Sequence, residues 1–100
     1  MKVVLSGQAK ADLREIGLFI ARDNKTRARS FVRELQAKAR DTGDIPRAFP
    51  LIPRYEHHGI RRRPHGDYLI FYRVDEDGEC LSIIHILHGA RNYEALLFPE

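Results

Sequence analysis

The chain has 100 residues, of which 43% are hydrophobic and 31% charged, with a net charge of +3 and a pI near 9.3. This balance suits one folded unit and excludes wholesale disorder. Cys80 is the only cysteine, which excludes an internal disulfide and a cysteine-based metal cluster. No apolar run approaches the roughly 20 residues needed to span a bilayer. The first residues lack the pattern of a cleaved leader, so a cytoplasmic, reduced protein is expected, with no membrane partner. Arginine outnumbers lysine, tilting the basic surface towards bidentate contacts with phosphate or carboxylate.

Lys2 to Leu5 is a short apolar run that predicts a terminal strand, and Ser6 after it is a good N-cap. Ala9, Leu13, Ile16 and Ile20 then recur at helical spacing, with Lys10, Asp12, Arg14 and Glu15 expected to face outward. Gly17 within that helix implies the close approach of a neighbour. Asp23 to Thr26 breaks the pattern and caps a second helix, whose apolar stripe is Ala28, Phe31, Val32, Leu35 and Ala39. Thr42-Gly43 predicts its end, with Gly43 as a left-handed C-cap.

Pro46, Pro50 and Pro53 exclude regular structure between Asp44 and Gly59. Ile45, Phe49, Leu51, Ile52 and Tyr55 are nevertheless apolar, so this loop is expected to lie against the core. Ile60 to Arg63 predicts a short strand. Tyr68 to Val74 and Cys80 to Leu87 are aromatic and β-branched, and Asp75-Glu76-Asp77-Gly78 joins them as a hairpin. Both parities of these two strands are apolar, which places them at the centre of a sheet. Asn92 is positioned to cap a last helical turn from Tyr93 to Leu97. The elements predict an α+β fold: a strand and a two-helix hairpin packed on one face of a twisted antiparallel sheet, with a short C-terminal helix.

The arginines and the strand exit carry the chemistry. In a strand, Arg61 and Arg63 point one way and Arg62 the other. The run suits either an anion contact or a charged edge strand that resists sheet-to-sheet pairing. Arg73 interrupts an apolar strand on the face of Leu69 and Phe71, and calls for a carboxylate such as Glu15 or Asp75, or for a concave site. His57 and His58 are sequence neighbours, and His85 and His88 are expected on opposite sides of the sheet, so no metal site is predicted. His88, Arg91 and Tyr93 gather at the exit of the last strand. With neighbouring arginines they could supply a base, an acid and phosphate contacts for metal-free RNA cleavage. Alternatively, Tyr93 packs the tail and Arg91 pairs with Asp67.

Gly59-Ile60-Arg61-Arg62-Arg63, then Asp67-Tyr68-Leu69-Ile70-Phe71-Tyr72-Arg73-Val74, then Ile84-His85-Ile86-Leu87-His88-Gly89-Ala90-Arg91-Asn92-Tyr93 resemble the ParE branch of the RelE/ParE toxin family. The resemblance implies a single RelE/ParE-like domain over residues 1–100 and a toxin of a type II toxin–antitoxin module. It implies inhibition of DNA gyrase, stalled replication and no cofactor. It also implies neutralisation by a ParD-like antitoxin that reaches operator DNA itself, leaving the toxin an indirect role there. Target contacts are expected at Arg61, Arg63, Arg73, His88, Arg91, Asn92 and Tyr93. Antitoxin contacts are expected at Leu13, Ile20, Arg27, Phe31, Arg33 and Leu35. The RelE branch offers the alternative, a ribosome-dependent mRNA endonuclease using Arg61, Arg73, His88, Arg91 and Tyr93.

Overall fold

A computed structural model describes residues 1–77 and 79–99. Strand β1 (Lys2–Leu5) leads to helices α1 (Gly7–Ala21) and α2 (Lys25–Asp41), then strands β2 (Ile60–His65), β3 (Tyr68–Asp75) and β4 (Cys80–His88), and helix α3 (Tyr93–Leu97). The sheet order is β1-β4-β3-β2. Ser6 caps α1 by accepting from the Ala9 amide at 3.0 Å, and Asn24 caps α2 through Arg27 at 2.9 Å. Gly78, part of the expected hairpin turn, lies outside the described residues.

The antiparallel expectation holds for β2, β3 and β4, but β1 lies parallel to β4, so the sheet is mixed. A parallel neighbour requires a long connection, and everything from α1 to β3 supplies it. Helices α1 and α2 cover one face, where Leu13, Ile16, Phe31 and Leu35 meet Ile70, Tyr72, Leu81 and Ile83. On the other face Ile52, Ile60, Phe71, Leu87 and Phe98 form a second core. The proline-rich loop is therefore packed down, as its apolar residues require. It is also more regular than its prolines suggest, with a 3-10 turn at Glu56–His58 and a bridge from Leu51 to Arg61 along the outer edge of β2. That bridge shields an otherwise open sheet edge.

Two glycines act through space. A Cβ on Gly17 would come within 3.3 Å of Val32, so α1 and α2 approach closely there. Gly43 is not a left-handed cap. It sits in a 3-10 turn (Thr42–Asp44) where a Cβ would come within 2.7 Å of the Met1 carbonyl oxygen and of Val3. The glycine is needed because the end of α2 presses on the start of β1. Among the described residues no helix is long and apolar enough to cross a membrane.

Asp12 departs from its expected outward position and is 5% exposed. Pairing of β1 with β4 ends at Leu5 and Ile83, and Ser6 then covers the carbonyls of Ile83 and Ile84. The next amide on that edge, Ile86, has no strand beside it and donates to Asp12 Oδ2 at 2.9 Å. His85 Nδ1 meets the same oxygen at 2.7 Å, and Gln8 donates to Oδ1 at 2.9 Å. A single carboxylate thus continues the sheet edge where the strand stops.

Asp12→Ala strands a buried amide and removes charge-assisted bonds, so it should cost about 2–4 kcal/mol. Urea unfolding followed by circular dichroism measures this. A midpoint equal to wild type would show that the contact contributes nothing.

Candidate functional site at the exit of the last strand

The register of β4 slips against β3, with Phe71 opposite His85 and Tyr72 opposite Ile83. This bulge inserts one residue and changes the side-chain parity. The bulge precedes His85, so His85, opposite Phe71, and His88, opposite Tyr68, keep the expected opposite sides of the sheet, although His85 still reaches α1. His85 bonds Asp12, and His88 packs edge-on against Tyr68 with ring centroids 5.2 Å apart. Among the described residues no three His, Cys, Asp or Glu side chains gather as a metal site.

Beyond β4 the chain turns sharply. The Gly89 amide donates to the Asp67 carbonyl at 2.8 Å, and the Ala90 amide to His88 Nδ1 at 3.1 Å. Asn92 stands at the N-cap position of α3 but makes no side-chain capping bond. Arg91 and Asn92 are exposed. Among the described residues Arg91 has no ion-pair partner, Asp67 included. It flanks a cleft of about 460 Å³ between α1 and the end of β4, together with His88, Tyr68, Glu15 and Arg22. Burial, reinforced by the Asp67 and Glu15 carboxylates, raises the Tyr68 pKa above that of an ordinary phenol, so its hydroxyl remains a donor.

The other expected contacts are distributed around the sheet. Tyr93 turns to the opposite face, where its ring lies 5.0 Å from Phe71 and its hydroxyl accepts from Arg62. Arg62 was not among the expected contacts, although alternation had already set it apart from Arg61 and Arg63. Arg61 donates to the Phe49 carbonyl at 2.7 Å. Arg63 donates to Thr42 Oγ1 at 3.1 Å, reaches Asp41 at 3.5 Å and lies over the Phe49 ring. Its side chain is 13% exposed, so it ties the end of α2 to the sheet and has little surface for a partner. Arg73 is exposed on the face away from Glu15 and donates to the His58 carbonyl at 3.1 Å. The five residues of the nuclease alternative therefore occupy three regions and do not converge.

A family model described as the ParE toxin of the type II toxin–antitoxin system parDE matches residues 3–93. The chain belongs to the ParE toxin family. ParE toxins are the toxin components of type II toxin–antitoxin systems, and the α+β fold agrees with that membership. Among solved structures, this ParE chain is similar to a chain of the chromosomal ParDE system from P. aeruginosa, with TM-score 0.73 and 19% identity over 88% of this chain and 95% of that one. A chain of the RelBE2 toxin–antitoxin complex from Mycobacterium tuberculosis is similar with TM-score 0.65 and 21% identity, over 87% and 95% of the two chains. At such identities the likeness concerns the fold. No curated protein sequence matches the chain significantly.

A second concavity of this ParE chain, about 1080 Å³, lies between α1, α2 and β1. Leu13 and Val32 are on its floor, and Lys10, Arg14, Lys25, Arg29, Arg33 and Arg40 surround it with no described carboxylate. Of the expected antitoxin contacts, Leu13 and Arg33 line this groove. Phe31 and Leu35 do not, because they turn to the sheet within the core. The apolar stripe of α2 marks the side it buries, so those two are corrected to core residues. Ile20 is half-buried against the core, and Arg27 pairs with Glu34 and covers the Phe31 ring.

Glu34 also meets His65 Nε2 at 3.0 Å. Hydrogen bonds from Arg27, the larger cause, and from His65 hold its carboxyl below the usual carboxylate range. A depressed folded pKa contributes stability above the unfolded value and loses it as pH falls through the folded one. Glu34→Gln should therefore lower the urea midpoint at neutral pH and match wild type in strong acid. A gap that persists unchanged into acid would assign the effect to packing instead.

Proposed function

We propose that this ParE family member acts as a protein inhibitor of DNA gyrase and is held silent by a ParD-like antitoxin. The observation that carries the reading is the corner from His88 to Asn92, exposed from Gly89 on, with Arg91 free of any described ion pair beside an apolar cleft. Such a corner, beside the exposed Leu18 and Phe19, suits contact with a large protein, and the five residues of the nuclease alternative do not converge on it. Arg73 and Tyr93 stand on the opposite face, so a target reaching both faces would wrap the sheet end.

Purified chain titrated against gyrase and relaxed plasmid should block supercoiling or accumulate cleaved DNA. Undiminished supercoiling at several-fold molar excess would overturn this reading. The alternative of a ribosome-dependent RNase draws on one feature, the Tyr93 hydroxyl held by Arg62. Discrete cuts in translated message, abolished by Tyr93→Phe, would favour it over gyrase inhibition.

The basic groove supports the antitoxin half of the reading. An apolar floor ringed by six cations suits an amphipathic helix whose flanks are acidic, of the kind that orders on binding. Operator DNA would be met through the antitoxin. Arg29→Glu with Arg33→Glu, both exposed, should weaken binding of the ParD-like partner by at least about tenfold, or 1.4 kcal/mol. Isothermal titration calorimetry measures this, and unchanged affinity would move the antitoxin to another surface.

A further inference from the structure

The last turns of α1 carry two neighbouring apolar side chains in water: Leu18 is 67% exposed and Phe19 62%. Scattered apolar residues on a surface are ordinary, but an adjacent pair on the lip of a cavity marks an interaction site. Both line the cleft beside the β4 exit, and Ile16 and Ile86 extend its apolar wall. Its 460 Å³ falls within the range of pockets that hold a specific ligand group.

The charges around this cleft are unequal. Asp12 reaches it, but its oxygens already serve Gln8, His85 and the Ile86 amide. Glu15 is the remaining carboxylate on the rim. Against it stand Arg22 and Arg91, neither with an ion-pair partner among the described residues, and His88. Arg22 lies only distantly over the Phe19 ring, at 6.0 Å. An apolar pocket with two uncommitted guanidinium groups at its mouth is complementary to an apolar side chain with a carboxylate beside it.

We propose that the cleft between α1 and the β4 exit is the anchor site for the toxin's protein target, taking an apolar side chain between Leu18 and Phe19 while a neighbouring carboxylate of the target meets Arg91 and Arg22. The proposal rests on the gyrase-inhibitor reading and identifies where the hold is strongest. It adds α1 to a surface otherwise assigned to the strand exit alone. Anchors of this kind carry most of an interface's energy, so single changes have large effects.

The test is gyrase supercoiling titrated with wild type, Phe19→Ser, Arg22→Glu, Arg91→Glu and Glu15→Gln. All four changed side chains are exposed, and urea midpoints verify that each variant folds. Phe19→Ser and Arg91→Glu should each raise the half-inhibitory concentration at least about tenfold, Arg22→Glu should raise it less, and Glu15→Gln should lower it. If charge reversal at Arg91 disturbs folding, Arg91→Gln replaces it with the same expected direction. Wild-type inhibition that Phe19→Ser and Arg91→Glu leave unmoved overturns the anchor while sparing the function. Failure of the wild type to inhibit removes the function and the anchor together.

Discussion

A buried carboxylate joins the two halves of this molecule. Strand β1 is four residues long and β4 nine, so a stretch of β4 lacks a neighbour on that side. Asp12 fills the gap from α1, bonding the Ile86 amide and the His85 ring at once. An unpaired buried amide would be costly, and an unpaired buried carboxylate costlier, so the two requirements are met only together. The contact fixes how far α1 stands from β4, and therefore the width of the cleft that Leu18, Arg91 and His88 share. The arrangement of the candidate site depends on it.

The arginines show how one residue type is divided between structure and surface. Arg63 is consumed in holding the carbonyl and hydroxyl groups at the end of α2, where a cation also complements the helix dipole. Arg61 is occupied by loop carbonyls and Arg62 by Tyr93. Arg91 and those around the α1–α2 groove remain on the surface. Leu18 lines both the groove and the smaller cleft, so the two surfaces meet along a single ridge of α1.

Much of the architecture was legible in the residues because hydrophobic period reports burial directly. The helices and the three-strand meander follow from it, and the polar breaks before α1 and α2 mark their N-caps at Ser6 and Asn24. What failed did so for identifiable reasons. Asp12 falls at the second position of the series 9, 12, 13, 16, squarely within the buried stripe of α1, but its charge argued for solvent. The β4 bulge, invisible to strict alternation, brought Ile86 to the same face as Ile83. The parallel seat of β1 depends on a pairing that no local pattern announces. The groove had a signal of its own: Lys25, Ala28, Arg29, Val32, Arg33, Gln36 and Arg40 form a second helical stripe of small and basic residues, beside the apolar one that α2 buries. Its meaning emerges only once α1 is seen to supply Lys10, Arg14 and Leu18 along the other bank.

The pairing of β1 with β4 also has a consequence in time. Ser6 bonds Ile84, 78 positions away, and contacts so distant in sequence form late and slowly. During synthesis the opening strand leaves the ribosome long before its neighbour exists. Helices α1 and α2, with their local contacts, can begin to form early, whereas the corner built from α1 and the β4 exit must await the final residues. A nascent chain can therefore form the α1–α2 bank of the groove before it seats β1 or assembles the corner, and a truncated product lacking its last strand would never do either.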